Sequence, residues 1–153
     1  MPDDDFDDFL NGLSRYSSFL PADADIPLEI LVLRGHLLLE EELRKLIAKK
    51  CTKPQIFLLH DRTPFRGLLI LTEALYGETL PPWIWIVLRE LNQVRNSMAH
   101  RLEDKGIQAG VASILKAFEE HDSTYSHVEG GVLQQFNYCL SAMHVELMKV
   151  SAP

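Results

Sequence analysis

The sequence predicts an all-α protein, an antiparallel bundle of four long helices plus one shorter helix. Three observations carry that expectation. Apolar residues recur at intervals of three and four through most of the chain, the spacing of one helix face. No segment shows the strict apolar–polar alternation of a half-buried strand. Pro27, Pro64 and Pro82 stand where helices should begin, a position at which a missing N–H costs nothing. With 153 residues, one domain is the default, and a core burying roughly two thirds of the unfolded surface is feasible.

Residues 1–25 are read as an acidic, solvated segment in which 6–18 could form a short helix weakened by Gly12, and 26–150 as the single helical domain. "LPADADIP" is a loop by its prolines and aspartates. The first long helix spans 27–50. Its first half is apolar almost all round (Ile30, Leu31, Val32, Leu33, Leu37, Leu38, Leu39), a pattern expected to be buried on more than one side. Its second half carries Leu39, Leu43, Leu46 and Ile47 on one stripe, and Lys45, Lys49 and Lys50 suit the negative end of the helix dipole.

"CTKPQIFLLHDR" is predicted to be a loop, with Thr63 as the N-cap of the shorter helix, 64–76. Phe65, Leu68, Leu69, Thr72 and Leu75 should face inward there, with Gly77 as the stop. From Pro82 the third helix places Ile84, Leu88, Leu91, Met98 and Leu102 inward, with Val94 nearby. After the break "EDKG", a helix over 107–121 turns Ile107, Val111, Ile114, Leu115 and Phe118 to the core. "HDSTYSHVEGG" is a loop. The last helix, 132–149, has Leu133, Phe136, Leu140, Met143 and Leu147 inward.

Composition narrows the function classes. No apolar run reaches the ~18 residues needed to span a bilayer. "IPLEILVLRGHLLLEEEL" comes nearest and is broken by Glu29, Arg34 and His36. The N-terminus opens with acid, not with a basic and then an apolar region, so a cytoplasmic location is expected. Cys51 and Cys139 lie far apart without partners at ligand spacing, and neither a zinc site nor a disulfide is expected. The histidines also lack metal-ligand spacing, so no metal and no cofactor is expected. The net charge of −7 falls to −2 once the five aspartates among the first eight residues are set aside. A nearly neutral body can still hold a local basic site for phosphate. Trp83 and Trp85 could stack on bases, though a core or dimer contact is the more ordinary use.

The stretch that carries chemistry is "QVRNSMAHR", residues 93–101. Asn92, Asn96 and His100 are four apart and share a face, with Arg89 and Gln93 beside it. Arg95 is five residues before His100, which places it about 140° away around an ideal helix. Three routes could bring the two together: the long arginine stem, a helix ending near Ala99, or a symmetric dimer. The group suits RNA cleavage without metal. A histidine moves protons near neutral pH, an arginine binds phosphate through two bonds, and an asparagine orients either one. The 2′-hydroxyl of RNA is its own nucleophile, so the lack of a convincing Ser-His-Asp or Cys-His arrangement is no obstacle. On the first helix, Arg34, His36 and Glu40 could line the same cleft as a second layer. Alternatively, His36 and Glu40 form an ordinary i,i+4 pair on a solvent face.

"RNSMAH" resembles the R-x4-6-H motif of HEPN domains (higher eukaryotes and prokaryotes nucleotide-binding), including the polar residue after the arginine. The flanking helices "RGHLLLEEELRKLI", "FRGLLILTEAL" and "WIVLRELNQVRNSMAHR" are similar too, so the resemblance spans about residues 27–120. It implies a HEPN-like bundle, a homodimer with the motif near a shared cleft, and a metal-independent endoribonuclease of the toxin type that leaves 2′,3′-cyclic phosphates. It also implies an antitoxin partner of the nucleotidyltransferase kind. Carried over by position, Arg95 would bind phosphate, His100 would be the acid/base and Asn96 the polar helper. Arg89, Asn92, Arg101, Arg34, His36 and Glu40 are the further cleft candidates. The competing reading is a non-catalytic helical dimer that binds a protein or regulates transcription. It draws on the overall acidity, the scarcity of basic residues outside the motif and the apolar start of the first helix. The plainest reading of Arg95, Asn96 and His100 is a solvated helix end.

Overall fold

A computed structural model describes residues 25–100, 104–122 and 130–151. Among them there are six helices and no strand: α1 Leu28–Lys49, α2 Pro54–His60, α3 Phe65–Tyr76, α4 Pro82–His100, α5 Asp104–Glu119 and α6 Val132–Ser151. The short helix predicted over 6–18, and Leu102, lie outside the described residues.

α1 is the hub. It packs against α2, α3, α4 and α6, while α5 closes on α4 and α6. Its apolar stripe explains this role: Leu39, Leu43 and Leu46 have no exposed surface, and they meet Leu68 of α3, Ile84, Leu88 and Leu91 of α4, and Phe136, Leu140 and Leu147 of α6 in one core. α5 contributes the face that its periodicity indicates, with Ile107, Val111, Ile114, Leu115 and Phe118 all buried. Trp83 and Trp85 are also core residues, so neither is a free stacking surface.

Two glycines set the closeness of the packing. A Cβ on Gly35 would lie 2.6 Å from Leu140 Cδ1, so α1 and α6 approach through the missing side chain. A Cβ on Gly110 would lie 2.4 Å from Val94 Cγ2, which does the same for α5 and α4.

The structure corrects several sequence expectations. The segment read as a loop contains α2, with Pro54 in its first turn. This helix buries no residue fully: Phe57 is half-buried against the core, a single contact too short to read as a stripe, and Ile56, Leu58 and Leu59 are exposed. Thr63 does not cap α3. Pro64 takes the N-cap without a side-chain bond, while the Thr63 N–H donates to Asp61 Oδ1 at 2.9 Å. Leu75 is exposed, and Tyr76 replaces it in the core, its hydroxyl donating to Leu46 O at 2.8 Å. Residues 104–106, expected in a break, are the first of α5. The start of α1 is not buried all round: Leu31, Val32, Leu38 and Leu39 are inside, but Ile30, Leu33 and Leu37 are open.

Lys45 lies 3.9 Å from Glu41 but reaches Glu42 at 2.7 Å. Glu42 is buried beside His144, whose Nε2 is 3.6 Å away. Burial alone would raise the Glu42 pKa, yet the bonds from His144 and Lys45 bring it below the ordinary carboxylate value.

Candidate functional site

α3 and α4 leave a cleft between them of about 450 Å³. Each wall is one helical stripe. Arg66, Leu69, Ile70 and Glu73 line it from α3, and Arg89, Asn92, Gln93 and Asn96 from α4. Both sets have the spacing i, i+3, i+4, i+7, so each is a single face two turns long. Arg89 Nη2 donates to Glu73 Oε2, which ties the walls together at one end. Because the chain reverses between α3 and α4, Arg66 and Asn96 lie two turns from that pair, at the other end of the cleft.

Behind the α4 wall sits His36 of α1, only 5% exposed. Its Nε2 faces Asn92 Oδ1 at 3.4 Å and its Nδ1 faces Glu40 Oε2 at 3.6 Å. Its ring lies against Phe65, with centroids 4.1 Å apart. The expectation of a solvent-face pair is therefore wrong for His36, which is enclosed by three helices. Burial lowers its pKa, the hydrogen bond with Asn92 and the negative charge of Glu40 act the other way, and the positive charge of Arg95 adds to the lowering, so the net direction is down. A neutral His36 at pH 7 follows.

Glu40 is fixed from its other side. Arg44 donates from Nη1 to Glu40 Oε1 at 2.6 Å, from Nε to Asp61 Oδ2 at 2.9 Å and from Nη2 to Thr63 O at 3.1 Å. A continuous polar chain thus runs from the segment before α3, through Asp61, Arg44, Glu40 and His36, to Asn92 on the cleft wall. Burial would raise the Asp61 pKa, but the bonds from Thr63 and Arg44 bring it below its usual value. In the same way, burial would lower the pKa of Arg44, but Glu40 and Asp61 raise it.

The sequence candidates divide accordingly. Asn92, Asn96 and Arg89 line the cleft, and His36 and Glu40 stand behind it. Arg95 is exposed beside this group, its Nη1 3.4 Å from Asn96 Oδ1, and its charge reaches His36. His100 is the exposed last residue of α4. The helix ends one residue past Ala99, at His100, so Arg95 and His100 are both within it, and ideal helix geometry separates them by about 140°. Arg34 is half-buried and does not line the cleft. Arg101 lies outside the described residues. Sequence reasoning missed Arg66, an isolated arginine in "TPFRGLL", and the Arg44–Asp61 bond, whose partners are 17 residues apart. The signal for Arg66 was the matching two-turn stripe on α3, visible only once α4 is known to face it.

Two guanidiniums and three carboxamides on apolar flanks make the cleft suited to a ligand with an anionic part and a neutral hydrogen-bonding part. Among the described residues, no group of three His, Cys, Asp or Glu side chains converges as metal ligands would, and no helix is long and apolar enough to cross a membrane. No protein-family model, curated protein or solved structure matches the chain.

Proposed function

We propose that the chain is a metal-independent endoribonuclease of the HEPN toxin type, working as a homodimer whose helices form a HEPN-like antiparallel bundle. The observation that supports it most is the convergence of Arg89, Asn92 and Asn96 on one cleft, with Arg95 beside it and a buried His36 behind. In this reading Arg95 holds the scissile phosphate and stabilises the charge that builds on it. Asn96 orients the arginine through their shared bond. His100 takes the proton of the RNA 2′-hydroxyl. The 2′-O–P bond forms, the P–O5′ bond breaks, and the 5′-oxygen leaves with a proton from water, while His100 releases its own to solvent. The products carry a 2′,3′-cyclic phosphate and a 5′-hydroxyl.

Because Arg95 and His100 diverge around α4, the site is completed by the second chain, Arg95 of one protomer working with His100 of its partner. Mixing Arg95→Ala and His100→Ala chains tests this. The reading expects each variant alone to be inactive and the refolded mixture to recover cutting, since a mixed dimer keeps one intact pair. Recovery no greater than the parents would refute the shared site. An antitoxin of the nucleotidyltransferase type would restrain the enzyme in a cytoplasmic setting.

A second reading has its own observation. Ile30, Leu33 and Leu37 of α1 share an open apolar face, which fits a non-catalytic HEPN-like dimer used for protein binding or transcription control. Well-folded chain that cuts no RNA would favour it.

A further inference from the structure

We infer that His36 is a proton-operated switch for the α3–α4 cleft. When the ring is neutral, the Asn92 carboxamide turns its oxygen to the cleft. When the ring is protonated, the amide turns over, its NH2 faces the cleft, and the cleft takes up an oxyanion of the phosphate class. The inference stands apart from the ribonuclease reading, because no RNA cutting enters its test.

Glu40, His36 and Asn92 stand in a row, with His36 Nδ1 3.6 Å from Glu40 Oε2 and Nε2 3.4 Å from Asn92 Oδ1. A carboxylate only accepts, while a carboxamide accepts at one end and donates at the other. Glu40 is also held in place, since Arg44 donates to its other oxygen at 2.6 Å. Glu40 therefore decides where the proton of the neutral ring sits. On Nδ1 that proton points to the carboxylate, whereas on Nε2 it would leave the Nδ1 lone pair facing a negative charge. With Nδ1 protonated, Nε2 is an acceptor, and Asn92 meets it with its NH2 end. The oxygen is then turned to the cleft, which Asn92 lines. A second proton, on Nε2, makes both ring nitrogens donors. Asn92 then offers Oδ1, the contact seen in the structure, and its NH2 is turned to the cleft. The two ends of the amide have nearly the same shape, so the turn needs no repacking.

The charges around His36 set when the amide turns. Among the described residues, Glu40 of its own helix and Arg95 of α4 act on it, and α3 adds the uncharged Phe65 ring. Burial outweighs Glu40 and keeps the ring neutral until the pH falls below 6.5. His36 is itself enclosed, so Asn92 is its route to the cleft. Asn96 is one turn further along the same wall. Its Oδ1 already faces Arg95 at 3.4 Å, which leaves its NH2 to donate. Arg66, on the opposite wall, has no acidic partner among the described residues. An oxyanion here gains the guanidinium and both amide groups when the Asn92 NH2 is turned out. With the amide turned the other way, it meets an oxygen instead.

The test is an NMR titration of the full chain, carrying isotope-labelled histidine, from about pH 7.5 to 5 with and without sulfate. Sulfate keeps its charge over this range, which phosphate does not. His36→Gln identifies the His36 signals, and thermal melts at each pH check folding. In wild type at the upper pH, the His36 proton is expected on Nδ1. Sulfate should bind the protonated form about tenfold tighter, the worth of one hydrogen bond to an ion. By reciprocity it should then raise the His36 titration midpoint by about one pH unit. Asn92→Ala keeps the His36 charge but has no amide to turn, so most of that rise should vanish. Arg66→Met, at an exposed position, should weaken sulfate binding at every pH. A neutral ring with its proton on Nε2, a midpoint that sulfate leaves unmoved, or the full rise in Asn92→Ala would overturn the inference. The last result would show the His36 charge acting on the anion directly. A chain that shows the switch yet cuts no RNA would keep this inference and remove the ribonuclease reading. Cutting by a chain without the switch would do the reverse.

Discussion

Replacing Arg44 with methionine should cost about 2–3 kcal/mol of folding free energy. The side chain makes three bonds from α1 to Glu40 and to the segment before α3, at 2.6, 2.9 and 3.1 Å. Two of the acceptors are carboxylates, and a hydrogen bond to a charged group is worth about 1.5–3 kcal/mol. The three are not additive, and Arg44 and Glu40 are 25% and 21% exposed, so water replaces part of what is lost. Asp61 is only 4% exposed and would keep its bonds with Thr63 but lose its cationic partner, leaving a buried charge poorly paired. For a chain of this size the loss corresponds to a fall in Tm of roughly 5–10 °C. Urea unfolding at pH 7 measures it, with an unchanged m-value showing that stability alone has moved.

The pH dependence gives an internal check on that prediction. Asp61 has a folded pKa below its usual 3.8, so its contribution is present above that value and is lost as pH falls through the folded pKa. The deficit of Arg44→Met should therefore be largest above pH 3.8 and shrink below it. Adding Asp61→Asn to the variant should cost little more, because the unpaired charge goes with it. A deficit under about 0.5 kcal/mol, the size of an ordinary surface change, would refute the idea that this clamp holds α3 against α1.

Further predictions follow from the same structure. The folded pKa of His36 lies below 6.5, so its contribution is present above 6.5 and is lost as pH falls from there to the folded value. His36→Gln, which can still bond Asn92, should flatten the fall in stability on acidification from about pH 7.5 to 5.5, and an unchanged slope in urea midpoints would count against a buried neutral imidazole. Gly35→Ala gains about 1 kcal/mol of helix propensity but drives a methyl into Leu140, which is only 1% exposed, at a cost of about 1–3 kcal/mol. It should destabilise wild type yet stabilise a Leu140→Ala background, and the same sign in both would show that the close approach of α1 and α6 is not the constraint. Arg95→Ala and His100→Ala, at exposed positions, should each change stability by less than about 0.5 kcal/mol, as thermal melts would show.

The legible part of this protein is the part governed by periodicity. α5 and the second half of α1 bury the residues that their three- and four-residue spacing indicates. α2 was not legible because it buries no residue fully, and a seven-residue helix with one half-buried contact has no pattern to read. Leu75 and Tyr76 exchanged roles because a tyrosine with a carbonyl partner, Leu46 O, can be buried as well as a leucine. At the site, the α4 stripe could be read from its i+4 spacing, since it lies on one helix. Its surroundings could not. His36 and Asn92 are 56 residues apart, and nothing near His36 in sequence says that Phe65 and Asn92 will enclose it. Arg66 faces Asn96 only because α3 and α4 present matching two-turn stripes to one cleft.

The central claim is that Arg95 and His100 cut RNA by way of its own 2′-hydroxyl. The direct measurement is incubation of a mixed RNA pool with the chain in EDTA, comparing wild type with Arg95→Ala and His100→Ala preparations matched for helicity and oligomeric state. The account predicts cutting that survives the chelator, leaves 2′,3′-cyclic phosphate ends and disappears in both variants. Intact RNA with well-folded wild type, or cutting that persists in either variant, would contradict it.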